Sequence, residues 1–162
     1  MKQLYIVRHA KSNKDWLNIS DIDRPLNEKG YQDAHLIGKK LQEKKVKPDL
    51  IVSSPAIRAL TTGLIIAQSI HYSEEKILLK KNLYESSLRD HVDVISETDN
   101  RINSLMIFGH NPTFSQALSH FINKEQEMPT CAVAYISFNI DSWKRIDSEK
   151  GQLVFFISPK EF

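Results

Sequence analysis

The chain has 162 residues, 41% hydrophobic and 26% charged, with 22 basic and 20 acidic side chains and a formal net charge of +2. Such a composition has room for a real core and excludes intrinsic disorder, while the near-balance of charge gives no argument for nucleic acid or an anionic membrane as partner. The single cysteine, Cys131, excludes an internal disulfide and a cysteine-based zinc site, and its apolar run Cys131-Ala132-Val133-Ala134 marks it as a buried small hydrophobe. No apolar stretch approaches bilayer-spanning length, and Arg8 and His9 interrupt the only early apolar run. One domain over residues 1–162, cytoplasmic and without a membrane partner, is the expectation.

In chain order, the short apolar run Leu4–Val7 reads as a buried strand ending abruptly in Arg8-His9. Asn27 is placed as an N-cap with Glu28 in the first turn, and Ala34, Ile37 and Leu41 then share one helical face. A second strand, Leu50–Ser53, precedes a helix opened by Pro55, with Ile57, Leu60, Leu64 and Ala67 as its apolar stripe. Lys76–Leu79 reads as a third strand, a shorter helix runs from about Leu88 to Ser96, and Leu105–Phe108 reads as a fourth strand. Pro112 opens a further helix through Phe114, Leu118 and Phe121. Ala132–Phe138 and Leu153–Ile157 then flank a polar stretch and pair as a hairpin. The alternation predicts an α/β three-layer sandwich, with a mainly parallel central sheet, helices on both faces and a C-terminal antiparallel hairpin.

Ligand sites of open α/β sheets lie at the carboxyl ends of strands. Three strand ends carry candidate chemistry: Arg8-His9, then Ser54-Pro55-x-x-Arg58, then Gly109-His110-Asn111-Pro112. An arginine in the first turn of a helix joins a planar fork to free backbone N–H groups, a combination that favours phosphate. Taken alone, each is equally a solvated side chain leaving the core. Together, Arg8, His9, Arg58 and His110 would form one compact cationic pocket, and no carboxylate falls inside the three motifs.

Tyr5-Ile6-Val7-Arg8-His9-Ala10 resembles the Arg-His-Gly signature of the histidine phosphatase superfamily, with Ala10 in place of the glycine. Ser53-Ser54-Pro55-x-x-Arg58-Ala59-x-x-Thr62 and Gly109-His110-Asn111-Pro112 are similar to its second and third motifs. Asp23-Arg24-Pro25-Leu26-Asn27-Glu28-Lys29-Gly30 and Met128-Pro129-Thr130-Cys131-Ala132-Val133-Ala134 resemble the SixA-type phosphohistidine phosphatases. The resemblance implies a phosphoglycerate mutase-like fold and phosphoryl transfer through a covalent phosphohistidine on His9. Arg8, Arg58 and a protonated His110 would bind the phosphoryl group, without cofactor or metal. Glu85 in Asn82-Leu83-Tyr84-Glu85 matches the family's general acid by position and is equally a plain loop carboxylate. Lys11, Ser12, Asp23 and Asn111 are further substrate-binding candidates.

Little chain remains between Ser53 and His110 for a lid subdomain. An uncovered pocket suits a phosphohistidine domain of a protein, and a small phosphorylated substrate is the alternative. A phosphate-binding adaptor without turnover is a reading of a different class. The sequence leaves the oligomeric state open.

Overall fold

The computed structural model describes residues 1–14 and 18–162. Six strands form one sheet: β1 (Lys2–Arg8), β2 (Leu50–Ser53), β3 (Leu78–Leu79), β4 (Ser104–Gly109), β5 (Val133–Phe138) and β6 (Gln152–Ile157), in the order β3-β2-β4-β1-β5-β6. The first four of that order run parallel, with Leu4 opposite Leu105 and Arg8 opposite Gly109. β5 runs antiparallel to β1, and β6 antiparallel to β5. All six residues of β4 are buried, as a continuous apolar run in a doubly covered parallel sheet requires.

Side chains alternate across the sheet and so feed two cores. Leu4, Ile6, Leu105 and Ile107 pack with α3 (Leu88–Ser96) and α4 (Thr113–Ile122). Tyr5, Val7, Met106 and Phe108 pack with α1 (Glu28–Glu43) and α2 (Ile57–Ser69) on the opposite face. This is the three-layer α/β sandwich with the C-terminal antiparallel pair that the patterning predicts. None of the described helices is long and apolar enough to cross a membrane.

Helix starts follow local chemistry. The Asn27 side chain accepts from the Gly30 N–H (2.8 Å), and Ser87 with Asp90 forms a reciprocal capping box. Gly30 also allows a close approach: a Cβ there would lie 2.0 Å from the Lys11 carbonyl oxygen, so only glycine lets α1 dock on the loop after His9.

Three expectations are corrected. The strand expected over Lys76–Leu79 is confined to Leu78–Leu79, because Glu74–Lys76 closes a 3-10 turn with Lys76 N donating to the Ser73 carbonyl (3.0 Å). α2 starts at Ile57 with Ala56 as its cap, so Pro55 stands one residue before the cap and not in the first turn. The face that α2 buries is Arg58, Ala59, Thr62, Gly63, Ile66 and Ala67; of the expected stripe only Ala67 is buried, and Ile57 is 38% exposed. Small residues win that face because α2 is wedged between the sheet and α1. The tight point is Gly38 of α1, where a Cβ would clash with Ser69 Oγ of α2 at 2.4 Å; at Gly63 a Cβ would only reach ordinary contact with the Phe108 ring, at 3.5 Å.

At the opposite end of β1 from His9, Lys2 is only 2% exposed. Its ammonium donates to the carbonyls of Asn100 (2.8 Å) and Ile102 (3.0 Å) and to Asn103 Oδ1 (2.9 Å), tying the loop before β4 to β1. Replacing Lys2 with Met removes three hydrogen bonds made by a buried ammonium, so Lys2→Met is expected to lower unfolding free energy by about 1–3 kcal/mol. Urea denaturation reads the loss, and an unchanged midpoint would contradict this role.

Candidate active site

Arg8 and His9 leave the carboxyl end of β1 beside Gly109 and His110, which leave the neighbouring end of β4; the His9 N–H donates to the Gly109 carbonyl (3.0 Å). Gly109 is needed there, since a Cβ would come within 2.6 Å of the Phe114 ring. Arg58 enters from the first turn of α2, after β2. Thr62, one turn further along, donates to the Arg58 carbonyl (2.7 Å) and accepts from the Ala10 N–H (3.0 Å), so α2 is fastened to the loop behind His9. The chain closes over His9 from the C-terminal side: Cys131, held at φ 60 in the left-handed region, donates its N–H to the His9 carbonyl (3.0 Å).

The His9 ring lies 2.6 Å through Nδ1 from the Ala10 carbonyl. A carbonyl only accepts, so Nδ1 carries the proton and Nε2 the lone pair. Burial lowers the His9 pKa to about 3, with smaller contributions from His110, Arg58 and Arg8 against the favourable Ala10 bond. The imidazole is therefore neutral at pH 7. The His110 ring centroid is 5.2 Å from that of His9, and its Nε2 lies 2.8 Å from Ser54 Oγ. Burial, then Arg58, lowers the His110 pKa to about 4. In the unliganded site His110 is therefore neutral; the protonated state that the resemblance implies refers to the site with a phosphoryl group bound.

Arg8 Nη1 donates to the Met128 carbonyl (2.9 Å), which also accepts from Asn111 Nδ2 (3.0 Å). Arg58 gives Nη1 to the Asp21 carbonyl (2.7 Å) and Nη2 to Asp21 Oδ2 (3.0 Å). The same carboxylate accepts from Arg24 Nε (3.0 Å) and from the Tyr84 hydroxyl (2.6 Å). These bonds, the Tyr84 one foremost, hold the Asp21 carboxyl well below the usual carboxylate range. Burial and that bond raise the Tyr84 phenol to about 12. Arg8 Nε, Arg58 Nε and His110 Nδ1 are shielded from solvent and have no partner among the described residues.

These side chains line a cavity of about 590 Å³ that also includes Lys11, Ser12, Lys14, Arg24 and Asn111. A second cavity of about 480 Å³ shares Arg58, His110 and Asn111 and adds Asp21, Tyr84, Glu85 and Gln116. Among the described residues no cluster of three or more His, Cys, Asp or Glu is placed to hold a metal ion.

The sequence profile of the histidine phosphatase superfamily, branch 1, matches residues 4–103, which span β1, β2 and the Arg58 turn. The chain belongs to the histidine phosphatase superfamily. An uncharacterised chloroplastic protein of Arabidopsis thaliana is 29% identical over 158 residues, covering 93% of this chain and 72% of that protein. A SixA-type protein from Agrobacterium tumefaciens superposes with a TM-score of 0.84 at 25% identity, covering 98% of each chain. The protein histidine phosphatase SixA in complex with tungstate superposes with a TM-score of 0.84 at 20% identity over 98% of each chain, a likeness of fold. The sheet order and helix layers are thus those of the phosphoglycerate mutase-like fold.

Of the residues singled out in the sequence, the structure brings Arg8, His9, Lys11, Ser12, Arg58, His110 and Asn111 to one cavity. Glu85, at φ 49, lines the neighbouring one. Asp23 is a correction: its carboxylate accepts from Ser20 Oγ (2.8 Å) and lines neither cavity. The acidic residue of that loop that reaches the arginines is Asp21, two positions earlier. Sequence reasoning also passed over the site roles of Tyr84, Ser54 and Thr62, whereas the basic residue Arg24 of the Asp23–Gly30 segment does line the cavity, as expected of that segment. All four lie inside motifs quoted above, so motif membership was the signal; Asp21 lies just outside one and had none.

Three buried histidines make acid stability a test of this site. Burial lowers His9 to about 3, and His91 and His110 to about 4. In the unfolded chain each takes up a proton near pH 6.5. Between pH 6.5 and about 4 the unfolded state then binds more protons, so stability is complete above pH 6.5 and falls as pH drops. Urea midpoints across that range should fall with a slope approaching about three protons per molecule; a flat profile would place the rings in solvent.

Proposed function

We propose that this chain is a phosphatase that transfers a phosphoryl group to His9 Nε2 and then to water, with phosphohistidine on a protein as its favoured substrate. The observation that carries the reading is a neutral His9 whose Nδ1 is held by the Ala10 carbonyl, leaving the Nε2 lone pair free, in a cavity that Arg8, Arg58 and His110 also line. Guanidinium groups beside such a nucleophile match the charge and geometry of a phosphoryl group. Superfamily membership and the SixA-type neighbours support phosphatase chemistry.

In the first step His9 Nε2 attacks phosphorus in line, an N–P bond forms, and the bond to the leaving group breaks. The arginine donors neutralise the equatorial oxygens, and the negative charge of the arriving dianion raises the His110 pKa, so that the ring takes up a proton from solvent. Water then attacks phospho-His9, the N–P bond breaks, its proton passes to the departing phosphate, and His9 regains its lone pair.

Substrate class turns on the leaving group. A phosphorylated imidazole leaves already protonated and needs little acid help. Between β2 and β4 the chain holds α2, β3, α3 and two 3-10 turns, and no added subdomain roofs the cavity. Both features favour phosphohistidine borne on a protein. The second cavity favours a further reading, a small phosphate ester, because it sets Glu85 beside Arg58 and His110, where a carboxyl could protonate an alkoxide.

Two substitutions separate these statements. His9→Ala should abolish phosphate release from a phosphohistidine protein, and undiminished turnover would remove His9 as nucleophile. Glu85→Gln should slow an aryl or alkyl phosphate ester by about 10²-fold or more while leaving phosphohistidine turnover within a few-fold. Unchanged ester hydrolysis would take Glu85 out of the mechanism.

A further inference from the structure

We propose that the His9 cavity binds two anionic groups of one substrate: the phosphoryl group, and a second carboxylate or phosphate held by Lys11, Lys14 and Arg24. The inference rests on the phosphatase reading for which group is transferred, and on separate residues for the second anion.

Size and charge both exceed what one phosphoryl group needs. A cavity of about 590 Å³ is in the range that encloses whole small ligands, and a phosphoryl group with its few heavy atoms leaves most of it unfilled. Five of the chain's 22 basic residues line it (Arg8, Lys11, Lys14, Arg24 and Arg58), while none of its 20 acidic residues does among those described. A net charge of +2 over the whole chain makes that local excess a feature of placement, not of composition. Arg8 and Arg58 suffice to clamp a dianion beside His9. Three cations remain on the wall formed by the loop after His9 and the segment before α1.

Arg24 is held ready there. Its Nε is fixed on Asp21 Oδ1 (3.0 Å), and its Nη1 on Ser12 Oγ (2.7 Å) and the Asn13 carbonyl (3.2 Å). Its Nη2 has no protein partner among the described residues. Neither Lys11 nor Lys14 pairs with a described carboxylate. Arg24 and Arg58 grip opposite oxygens of the single Asp21 carboxylate, each at 3.0 Å, so the two guanidinium groups are neighbours. The second anion therefore sits close to the phosphoryl group, within a few bonds on a small molecule or on an adjacent residue of a protein. A lysine-lined mouth that merely attracted anions from a distance would speed every phosphorylated substrate alike. A subsite favours only those carrying the second charge.

Binding and turnover test this separately. By calorimetry, pyrophosphate should bind the wild-type protein at least about tenfold more tightly than phosphate. The double variant Lys11→Gln, Lys14→Gln should cut that ratio by about fivefold or more, as loss of two exposed ion pairs implies. An unchanged ratio, or equal weakening of both ligands, overturns the subsite whatever the enzyme hydrolyses. Turnover identifies the source of the anion. Preference for a phosphohistidine peptide with a flanking Asp over its Asn counterpart points to a protein acid, and preference for carboxyphenyl phosphate over phenyl phosphate points to a small molecule. Either preference should be lost in the double variant, and absence of both in the wild type also overturns the proposal. No phosphate release by the wild type from any phosphorylated substrate strikes the phosphatase reading alone and leaves the calorimetric result standing.

Discussion

Gathering cations at one end of a sheet works against folding, and the Asp21 carboxylate is the counterweight on which this site depends. Arg58 is almost wholly buried, and two of its three nitrogens are spent on Asp21. Without that partner a buried guanidinium would carry an uncompensated desolvation cost. The same carboxylate receives Arg24 and Tyr84, so it orders both walls of the cavity and the loop that presents Glu85. Arg58 keeps a second N–H on each Nη beyond these two bonds, while its Nε is shielded and has no partner among the described residues. One exposed aspartate thus sets how much positive charge the cavity keeps for a ligand.

The fold supplies the rest of the geometry through position alone. β1 and β4 are adjacent and parallel, so their carboxyl ends place His9 and His110 side by side with no long-range adjustment. β2, next to β4, delivers Arg58 at the following helix start. This is the general advantage of parallel strands, whose ends and following loops all lie at one edge. Small residues at the helix contacts, Gly30 against Lys11 and Thr62 between Arg58 and Ala10, then fix how closely the loops approach.

How much of this the sequence discloses depends on the range of the interactions. His9, Arg58 and His110 were readable because each follows a strand and each is embedded in local turn chemistry. The capped starts of α1 and α3 were readable for the same reason. Hydrophobicity alone does not disclose the α2 face, because the buried side mixes Arg58, Ala59, Thr62 and Gly63 with Ile66 and Ala67. The strand at Leu78–Leu79 was overextended because apolar residues at an unpaired sheet edge look, one by one, like those of a buried strand. Asp21 was missed and Asp23 chosen in its place. Two acidic residues two positions apart in one loop are indistinguishable until a partner from α2 approaches one of them.

Protonation gives the site its remaining character. Burial keeps both histidines neutral, so the permanent charge of the empty cavity resides in arginine and lysine. A neutral His9 is a competent nucleophile at once, whereas a protonated one would not be. Negative charge placed beside His110 would raise its pKa, so in the proposed mechanism the ring becomes charged only when a phosphoryl group is bound. The two rings are equivalent in type and close in space, yet their partners differ: the Ala10 carbonyl fixes the proton on His9 Nδ1, whereas His110 Nε2 meets the Ser54 hydroxyl. Lys11 and Lys14 line the same cavity as the two rings, so its exposed positive charge lies on side chains other than those the fold places at the ends of β1 and β4.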